Sequence, residues 1–279
     1  MLAKRVLVAV ILLPIGLALI FIGGWAYTLM VALILGLAAA EYSRLFKLGD
    51  FQPANFLVIG VSVLLTLGRG WRGFSLDGII IAAFILGSMA YHSVAYERGR
   101  DRAASDFAVT VAGGMYIGFL GAYLVSLRNL PEGLWWVLLA LPAVWLADSG
   151  AYFVGRAYGK HKMSKRLSPK KSWEGYFGGI VVGTLGSVLL ALLWQYLAGQ
   201  WPQSLESANL ITLLNAAILG LILSTLTTLG DLGESMIKRQ FRAKDSSNLL
   251  PGHGGVFDRI DSWLWAGIIS YFVVFYFFL

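Results

Sequence analysis

The residues best suited to chemistry lie close together in the segment Ser235–Asp261, which reads SMIKRQFRAKDSSNLLPGHGGVFDRID. The segment combines clustered lysines and arginines, three aspartates and a Pro-Gly-His-Gly-Gly sequence. Cationic side chains and the backbone N–H groups that glycines expose can both bind phosphate. Closely spaced carboxylates suit a hard cation such as Mg²⁺. We therefore predict a metal-dependent phosphate site at a membrane surface.

The composition of the whole chain is that of an integral membrane protein. Of its 279 residues, 58% are hydrophobic and only 13% are charged, whereas a soluble domain has about 25% charged residues. The chain contains no cysteine, so it forms no disulfide. Its net charge of +7 could indicate nucleic-acid binding. In a membrane protein such a charge more often reflects anionic lipid and basic cytoplasmic loops, so we expect no nucleic-acid partner.

The elements that must position these residues are membrane-spanning helices. Since about 20 apolar residues cross the hydrocarbon, we predict an all-α, polytopic integral membrane protein with about nine transmembrane helices. We expect residues 1–130 to form N-terminal transmembrane helices and 131–279 to form C-terminal helices that carry the catalytic motifs, in a single membrane unit without a soluble domain. The predicted spans are 6–22, 25–43, 54–68, 77–96, 105–127, 134–155, 174–199, 209–232 and 258–279.

The basic residues predict the orientation of these spans. With the N-terminus in the cytoplasm, 19 of the 22 lysines and arginines fall on the cytoplasmic side, and only Arg69, Arg72 and Arg128 fall on the other. The basic segments 156–171 and 235–261 then share one side of the membrane. We therefore predict a multi-pass protein of the cytoplasmic (inner) membrane whose active site faces the cytoplasm.

Asp148 is predicted to lie within the membrane. A helix that enters near Leu134 has risen only about 21 Å at Asp148, at 1.5 Å per residue, and the hydrocarbon is about 30 Å thick. An acid near mid-membrane costs about 3 kcal/mol and usually faces a cavity or a partner. The structural alternative is an ion pair with Arg156 or a lysine.

The segment before the seventh span predicts a second phosphate site. Ser172 can cap the helix that follows, with Glu174 in its first turn. Lys170 and Lys171 then stand ahead of a helix N-terminus, where a phosphate is favoured. The alternative is that these cations only follow the positive-inside rule.

Four aspartates are predicted to form one metal site. Asp231 shares a helical face with Ser235, and Asp258 shares one with Asp261. Helix lengths counted from the span ends place Asp231 and Asp258 at similar depth and Asp148 somewhat deeper. The alternative for Asp258 and Asp261 is stabilisation of the helix dipole alone.

Glycines at four-residue spacing predict close helix packing. They occur at Gly114 and Gly118, and again at Gly175, Gly179 and Gly183. We expect this packing within one chain rather than at a dimer interface.

The segment Ser235–Asp261 resembles the signature of the phosphatidate cytidylyltransferase (CDP-diacylglycerol synthase) family. The shared pattern is Ser-x-x-Lys-Arg, Lys-Asp, Pro-Gly-His-Gly-Gly and Asp-Arg-x-Asp; the segments 148–152 and 168–175 also match. The resemblance covers roughly residues 145–261. It implies the reaction of CTP with phosphatidate to give CDP-diacylglycerol and pyrophosphate, in phospholipid biosynthesis, by a protein that forms a homodimer. The alternatives are a CTP-dependent lipid or polyprenol kinase and a secondary transporter.

The residue patterns and this resemblance together assign roles to individual residues. Mg²⁺ is expected at Asp148, Asp231, Asp258 and Asp261, with a second cation left open, and these acids together with Lys171 are the expected catalytic residues. The residues expected to bind CTP or phosphatidate are Ser168, Lys170, Lys171, Glu174, Ser235, Arg239, Lys244, Gly252, His253 and Gly254.

Overall fold

The computed structural model describes residues 2–199 and 211–279, and most of them are helical. The helices are α1 (Leu2–Ile22), α2 (Gly24–Lys47), α3 (Asn55–Arg72), α4 (Asp77–Glu97), α5 (Ala103–Gly113), α6 (Tyr123–Arg128), α7 (Gly133–Tyr158), α8 (Trp173–Gly199), α9 (Leu213–Leu226), α10 (Thr228–Gln240) and α11 (Phe257–Val273). Two short antiparallel strands, β1 (Lys162–Ser164) and β2 (Ser168–Ser172), form a hairpin between α7 and α8 that the sequence did not predict. The all-α class is confirmed.

Within the described residues, seven helical segments are long and apolar enough to cross a membrane, so the chain is a multi-pass membrane protein. The predicted count of nine is not confirmed. The third and fourth predicted spans belong to one helical segment, Asn55–Glu97, and the apolar helix Val10–Ile22 within α1 is shorter than the seven segments. The predicted start of the eighth span, at residue 209, lies outside the described residues. The seven segments are Gly24–Lys47, Asn55–Glu97, Ala103–Arg128, Gly133–Tyr158, Trp173–Leu197, Leu213–Gln240 and Phe257–Phe278.

The segment Asn55–Glu97 folds back on itself at a short 3-10 turn, Gly73–Leu76. The rings of Phe56 and Tyr91, near its two ends, lie 5.3 Å apart. A buried ion pair closes the turn, because Arg69 Nε lies 2.8 Å from Asp77 Oδ2. The central carbon of the Arg69 guanidinium also lies 3.9 Å from the centre of the Phe74 ring. Asp77 and this aromatic ring together hold the guanidinium.

The chain forms two compact units. The first comprises Met1–Ser126 with Met236–Leu264, and the second comprises Leu127–Ser235 with Trp265–Leu279. Both units therefore combine an early and a late part of the chain. The predicted division of the helices at residue 130 stays a prediction.

The glycines of α8 let this helix pack closely on α7 in the second unit. A Cβ atom at Gly175 would lie 2.7 Å from the carbonyl oxygen of Ala151, and one at Gly179 would lie 2.7 Å from that of Ala147. Any larger residue would separate the helices. The predicted packing within one chain is confirmed for these positions, and it fixes the start of α8 next to the end of α7.

Candidate active site

The start of α8 is anchored as the sequence predicts. Ser172 Oγ accepts a hydrogen bond from Gly175 N at 3.2 Å, so Ser172 caps the helix. Glu174 lies in the first turn, and its carboxylate accepts hydrogen bonds from Lys160 N at 3.1 Å and His161 N at 3.1 Å. The imidazole Nδ1 of His161 lies 2.6 Å from the same carboxylate. Glu174 therefore ties the residues that follow α7 to the start of α8.

Three predicted site residues meet in the second unit, where β2 approaches α10. Lys171 Nζ lies 2.6 Å from Asp231 Oδ2, and Ser235 Oγ donates to Asp231 Oδ1 at 3.2 Å. The Lys171 and Asp231 side chains are 25% and 33% exposed. This partial exposure leaves the ammonium and carboxylate accessible to a ligand, and the ammonium shows that the position beside Asp231 accommodates a cation.

The other predicted residues of the second unit lie on the same hairpin or on α7. Ser168 is half-buried on β2, and Lys170 is exposed beside it. Asp148 lies on an exposed face of α7. About two turns further along α7, Arg156 donates to the hydroxyl of Tyr152 at 3.2 Å.

In the first unit, Asp258 closes the loop that joins α10 to α11. Its Oδ1 lies 2.7 Å from Lys238 Nζ. Its Oδ2 accepts hydrogen bonds from Ser246 N at 2.8 Å, Ser246 Oγ at 2.9 Å and Gly255 N at 2.8 Å. Asp258 is only 8% exposed. The carboxylate therefore holds both ends of the loop 246–255 at the N-terminus of α11.

This loop encloses a cavity of about 440 Å³. Two cations, Lys244 and Arg259, line it, with Asp245 as the one acid among its lining residues. The cavity thus combines a net positive lining with the glycine-rich turn. Its lining residues are Lys244, Asp245, Asn248, Leu250, Pro251, Gly252, His253, Gly254 and Arg259.

The turn itself requires its glycines. Gly252 has φ = 81° and Gly254 has φ = 84°, values that residues other than glycine rarely adopt. A short bridge closes the turn, because Leu250 N donates to Gly254 O at 2.9 Å. Within the part of the chain that the structure describes, His253 Nδ1 is buried without a hydrogen-bond partner. The turn therefore carries a histidine with an unsatisfied ring nitrogen, and this histidine lines the same cavity as Lys244 and Arg259.

A comparison with known proteins gives the family. The model described as "Cytidylyltransferase family" matches residues 3–277 of this chain. The chain belongs to the cytidylyltransferase family. Its relatives include the phosphatidate cytidylyltransferases of Bacillus subtilis (33% identical, over 97% of each chain), Pseudomonas aeruginosa (35% identical, over 94% of this chain and 93% of the relative) and Synechocystis sp. (30% identical, over 97% and 96%).

Two further predicted residues of this cytidylyltransferase lie at the edges of the loop in the first unit. Arg239 is exposed near the end of α10, and its Nη1 donates to Ala243 O at 3.1 Å. Asp261 is half-buried one turn beyond Asp258, and its Oδ1 accepts from Ser262 N at 2.6 Å. The structure thus places Asp258 and Asp261 on one face, as predicted.

The sequence did not single out two residues that the structure places at this loop. Arg259 lines the cavity, although the sequence places it only within the Asp-Arg-x-Asp pattern. Glu41, on α2, accepts hydrogen bonds from Ser247 Oγ and Phe257 N. The available signal for Glu41 was a lone acid in the apolar sequence GLAAAEYSR.

The carboxylates fit a hard cation by their chemistry, because carboxylate oxygens are the ligands that Mg²⁺ prefers in proteins. Among residues 2–199 and 211–279, no three histidine, aspartate or glutamate side chains are grouped to hold a metal ion. Lysines neutralise Asp231 and Asp258 instead, at 2.6 and 2.7 Å. Mg²⁺ stays a prediction.

Proposed function

We propose that this protein is a phosphatidate cytidylyltransferase, which converts CTP and phosphatidate into CDP-diacylglycerol and pyrophosphate in phospholipid biosynthesis. The observation that carries the proposal is the match to proteins of that name over 97% of the chain at 33% identity. The cationic cavity and the partly exposed ammonium of Lys171 support it, since both can bind phosphate groups.

The reaction makes and breaks one bond at phosphorus. A phosphate oxygen of phosphatidate attacks the α-phosphorus of CTP, and the bond from that phosphorus to the β-phosphate oxygen breaks. Pyrophosphate leaves with the electron pair. Because the nucleophile is already an anion at neutral pH, the reaction needs no strong general base. The main difficulties are to bring two anions together and to stabilise the transition state.

The cationic side chains of this chain address both difficulties. Lys244 and Arg259 line the cavity with the turn 250–254, whose backbone N–H groups and His253 would orient phosphate oxygens. Lys171 would exchange its Asp231 partner for a substrate phosphate, with Ser168 and Lys170 beside it on β2. Glu174, Ser235 and Arg239 complete the proposed binding residues.

Mg²⁺ is proposed at Asp148, Asp231, Asp258 and Asp261. When bound, Mg²⁺ would neutralise phosphate oxygens and the charge that develops on the leaving pyrophosphate. Asp231 and Asp258 already bind ammonium groups, so both positions favour positive charge. The second cation and the homodimer stay predictions.

The acceptor lipid separates this function from a kinase. Phosphatidate offers a phosphate nucleophile, whereas a CTP-dependent lipid kinase requires a free hydroxyl. Purified protein should consume CTP with phosphatidate and not with diacylglycerol or a polyprenol. Consumption with a hydroxyl acceptor alone would favour the kinase.

We further propose that the protein lies in the cytoplasmic membrane with both basic segments on the cytoplasmic side. The distribution of lysine and arginine motivates this orientation. The chain lacks cysteine, so a thiol reagent labels a single-cysteine variant only at the introduced position. Cysteines at the exposed positions Lys162 and Gln240 should react only from the cytoplasmic side, and one at Ser75 only from the other. Labelling of Lys162→Cys and Gln240→Cys from opposite sides would exclude a shared active site.

A further inference from the structure

Glu41 is a buried acid near the C-terminal end of α2, far in sequence from the proposed active site. It is 6% exposed, and Ala38, Tyr42 and Leu45 near it on the helix are buried as well. A buried carboxylate is strongly unfavourable unless hydrogen-bond donors surround it. Its partners therefore indicate why an acid stands there.

Those partners all come from the proposed active-site loop. Oε1 accepts hydrogen bonds from Ser247 Oγ at 2.6 Å and Val256 N at 3.1 Å. Oε2 accepts from Phe257 N at 2.7 Å and from Ser246 Oγ at 3.0 Å, whose single proton it shares with Asp258 Oδ2 at 2.9 Å. Both carboxylate oxygens of Glu41 are thus committed to this loop. Charge-assisted bonds of this kind are stronger than those between neutral groups.

The four donors lie on both sides of the turn that lines the cavity. Ser246 and Ser247 precede the turn 250–254, and Val256 and Phe257 follow it. Val256 N and Phe257 N lie at the start of α11, where backbone N–H groups lack intrahelical partners and favour negative charge. Glu41 therefore caps α11 from another helix and ties the beginning of the loop to that cap.

Aromatic contacts place the C-terminal end of α2 against residues before and after the loop 246–255. The Phe46 ring lies 4.9 Å from that of Phe241, and the Tyr42 ring lies 6.3 Å from that of Phe257. Gly255 leaves no room for a side chain, because a Cβ atom there would meet Ser246 Oγ and Glu41 Oε2. The loop is therefore closely fitted to the carboxylate.

We propose that Glu41 is a positioning residue for the phosphate-binding cavity. Its carboxylate fixes Ser246 and Ser247 at the start of the loop 246–255, and Val256 and Phe257 directly after it. The cavity residues Lys244, His253 and Arg259 therefore hold one arrangement around the nucleotide phosphates. The inference rests on the proposed function, since it assigns the cavity to CTP. Helix α2, in the N-terminal part of the chain, then helps to position the residues of the proposed active site.

The test compares Glu41→Gln with Asp106→Asn in the purified full-length protein. Glutamine keeps the size of Glu41 but turns an NH₂ group toward two of the four donors. Asp106 is the matched control, because it is fully buried in the same unit and also accepts a loop N–H, that of Gln52 at 2.8 Å. Its second oxygen binds Arg100 Nε at 2.7 Å, outside the proposed site.

The readouts are KM for CTP, the melting temperature and amide hydrogen exchange. Glu41→Gln should raise KM for CTP at least tenfold and speed exchange at Val256 and Phe257, whose N–H groups bind the carboxylate. Asp106→Asn should lower the melting temperature comparably but change KM for CTP less than twofold. Equal KM values in the two variants would overturn the proposal.

A second variant covers the case in which Glu41→Gln does not fold. Ser247→Ala removes one donor to Glu41, together with the acceptor of Leu249 N at 3.0 Å, and leaves the buried acid with its other three donors. It should raise KM for CTP about threefold at an unchanged melting temperature, and an unchanged KM would overturn the proposal. The wild-type protein separates this inference from the proposed function. If the wild type does not convert CTP, the function fails; if it does and the variants keep its KM, only the role of Glu41 fails.

Discussion

Asp258→Asn is expected to lower turnover of CTP and phosphatidate at least a hundredfold in folded protein. An asparagine has one acceptor oxygen, whereas Asp258 binds an ammonium on one side and three N–H or O–H donors on the other. In either orientation the asparagine NH₂ group faces a donor. Each hydrogen bond to a charged group is worth about 1.5–3 kcal/mol. The loss of two such bonds corresponds to about a hundredfold in rate, at roughly 1.4 kcal/mol per factor of ten.

Asp101→Asn is the control for this prediction. Asp101 is exposed between α4 and α5, so its replacement removes the same charge from a solvated position. We expect turnover within twofold of wild type for this control. Turnover is measured together with the melting temperature, so that unfolded protein is not counted as inactive. Near-native turnover of Asp258→Asn would contradict the assigned role.

A magnesium titration of the same variant separates loop positioning from metal binding. The contacts of Asp258 with the loop do not involve Mg²⁺. If the loss of these contacts alone lowers turnover, turnover falls by the same factor at every Mg²⁺ concentration. A missing metal ligand instead raises the Mg²⁺ concentration for half-maximal turnover. We expect that increase in Asp258→Asn, Asp231→Asn and Asp261→Asn. Unchanged half-maximal concentrations in all three would refute the proposed Mg²⁺ site.

Lys171→Ala is expected to lower kcat/KM for CTP at least tenfold, whereas Lys162→Ala should change it less than twofold. Both lysines lie on the hairpin between α7 and α8, and Lys162 is paired in register with Ser172, the neighbour of Lys171. Only Lys171 contacts Asp231, and its partly exposed ammonium can reach a phosphate. One charge-assisted contact is worth about 1.5–3 kcal/mol, which is tenfold or more in rate.

The comparison of these two lysines decides between two explanations of the basic hairpin. If its charges serve only membrane orientation, the two replacements are equivalent, because each removes one cation from the same side. The measurement is steady-state kinetics in detergent at fixed Mg²⁺ and phosphatidate concentrations. Equal losses at the two positions would support the orientation explanation and remove Lys171 from the proposed site.

The features that the sequence predicted correctly depend on local spacing. Ser172 caps α8 because a cap joins residues three positions apart. Asp231 and Ser235 meet because four residues make about one helical turn. The glycines of α8 meet α7 because their four-residue spacing places them on one face of the helix. Each case depends on a helical period that can be read directly from the sequence.

The features that the sequence did not predict depend on contacts between distant segments. Glu41 binds residues more than 200 positions later in the chain, and no spacing rule links such residues. The lysine partners of Asp231 and Asp258 were not foreseen, because phosphate and carboxylate compete for the same cations and the sequence does not rank them. The β-hairpin was missed because its strands have only three and five residues and are rich in lysine and serine.

The most direct measurement follows the phosphorus atoms of CTP. Purified protein receives phosphatidate, diacylglycerol as a hydroxyl acceptor, Mg²⁺ and CTP that is radiolabelled at either the α- or the γ-phosphorus, and the lipid is extracted. The proposed reaction moves the α-phosphorus, with its cytidine, to the lipid and leaves the γ-phosphorus in pyrophosphate. Label from α-labelled CTP alone should therefore enter the lipid fraction. Transfer of the γ-label to lipid would identify a kinase, and transfer of neither label would contradict catalysis by this protein.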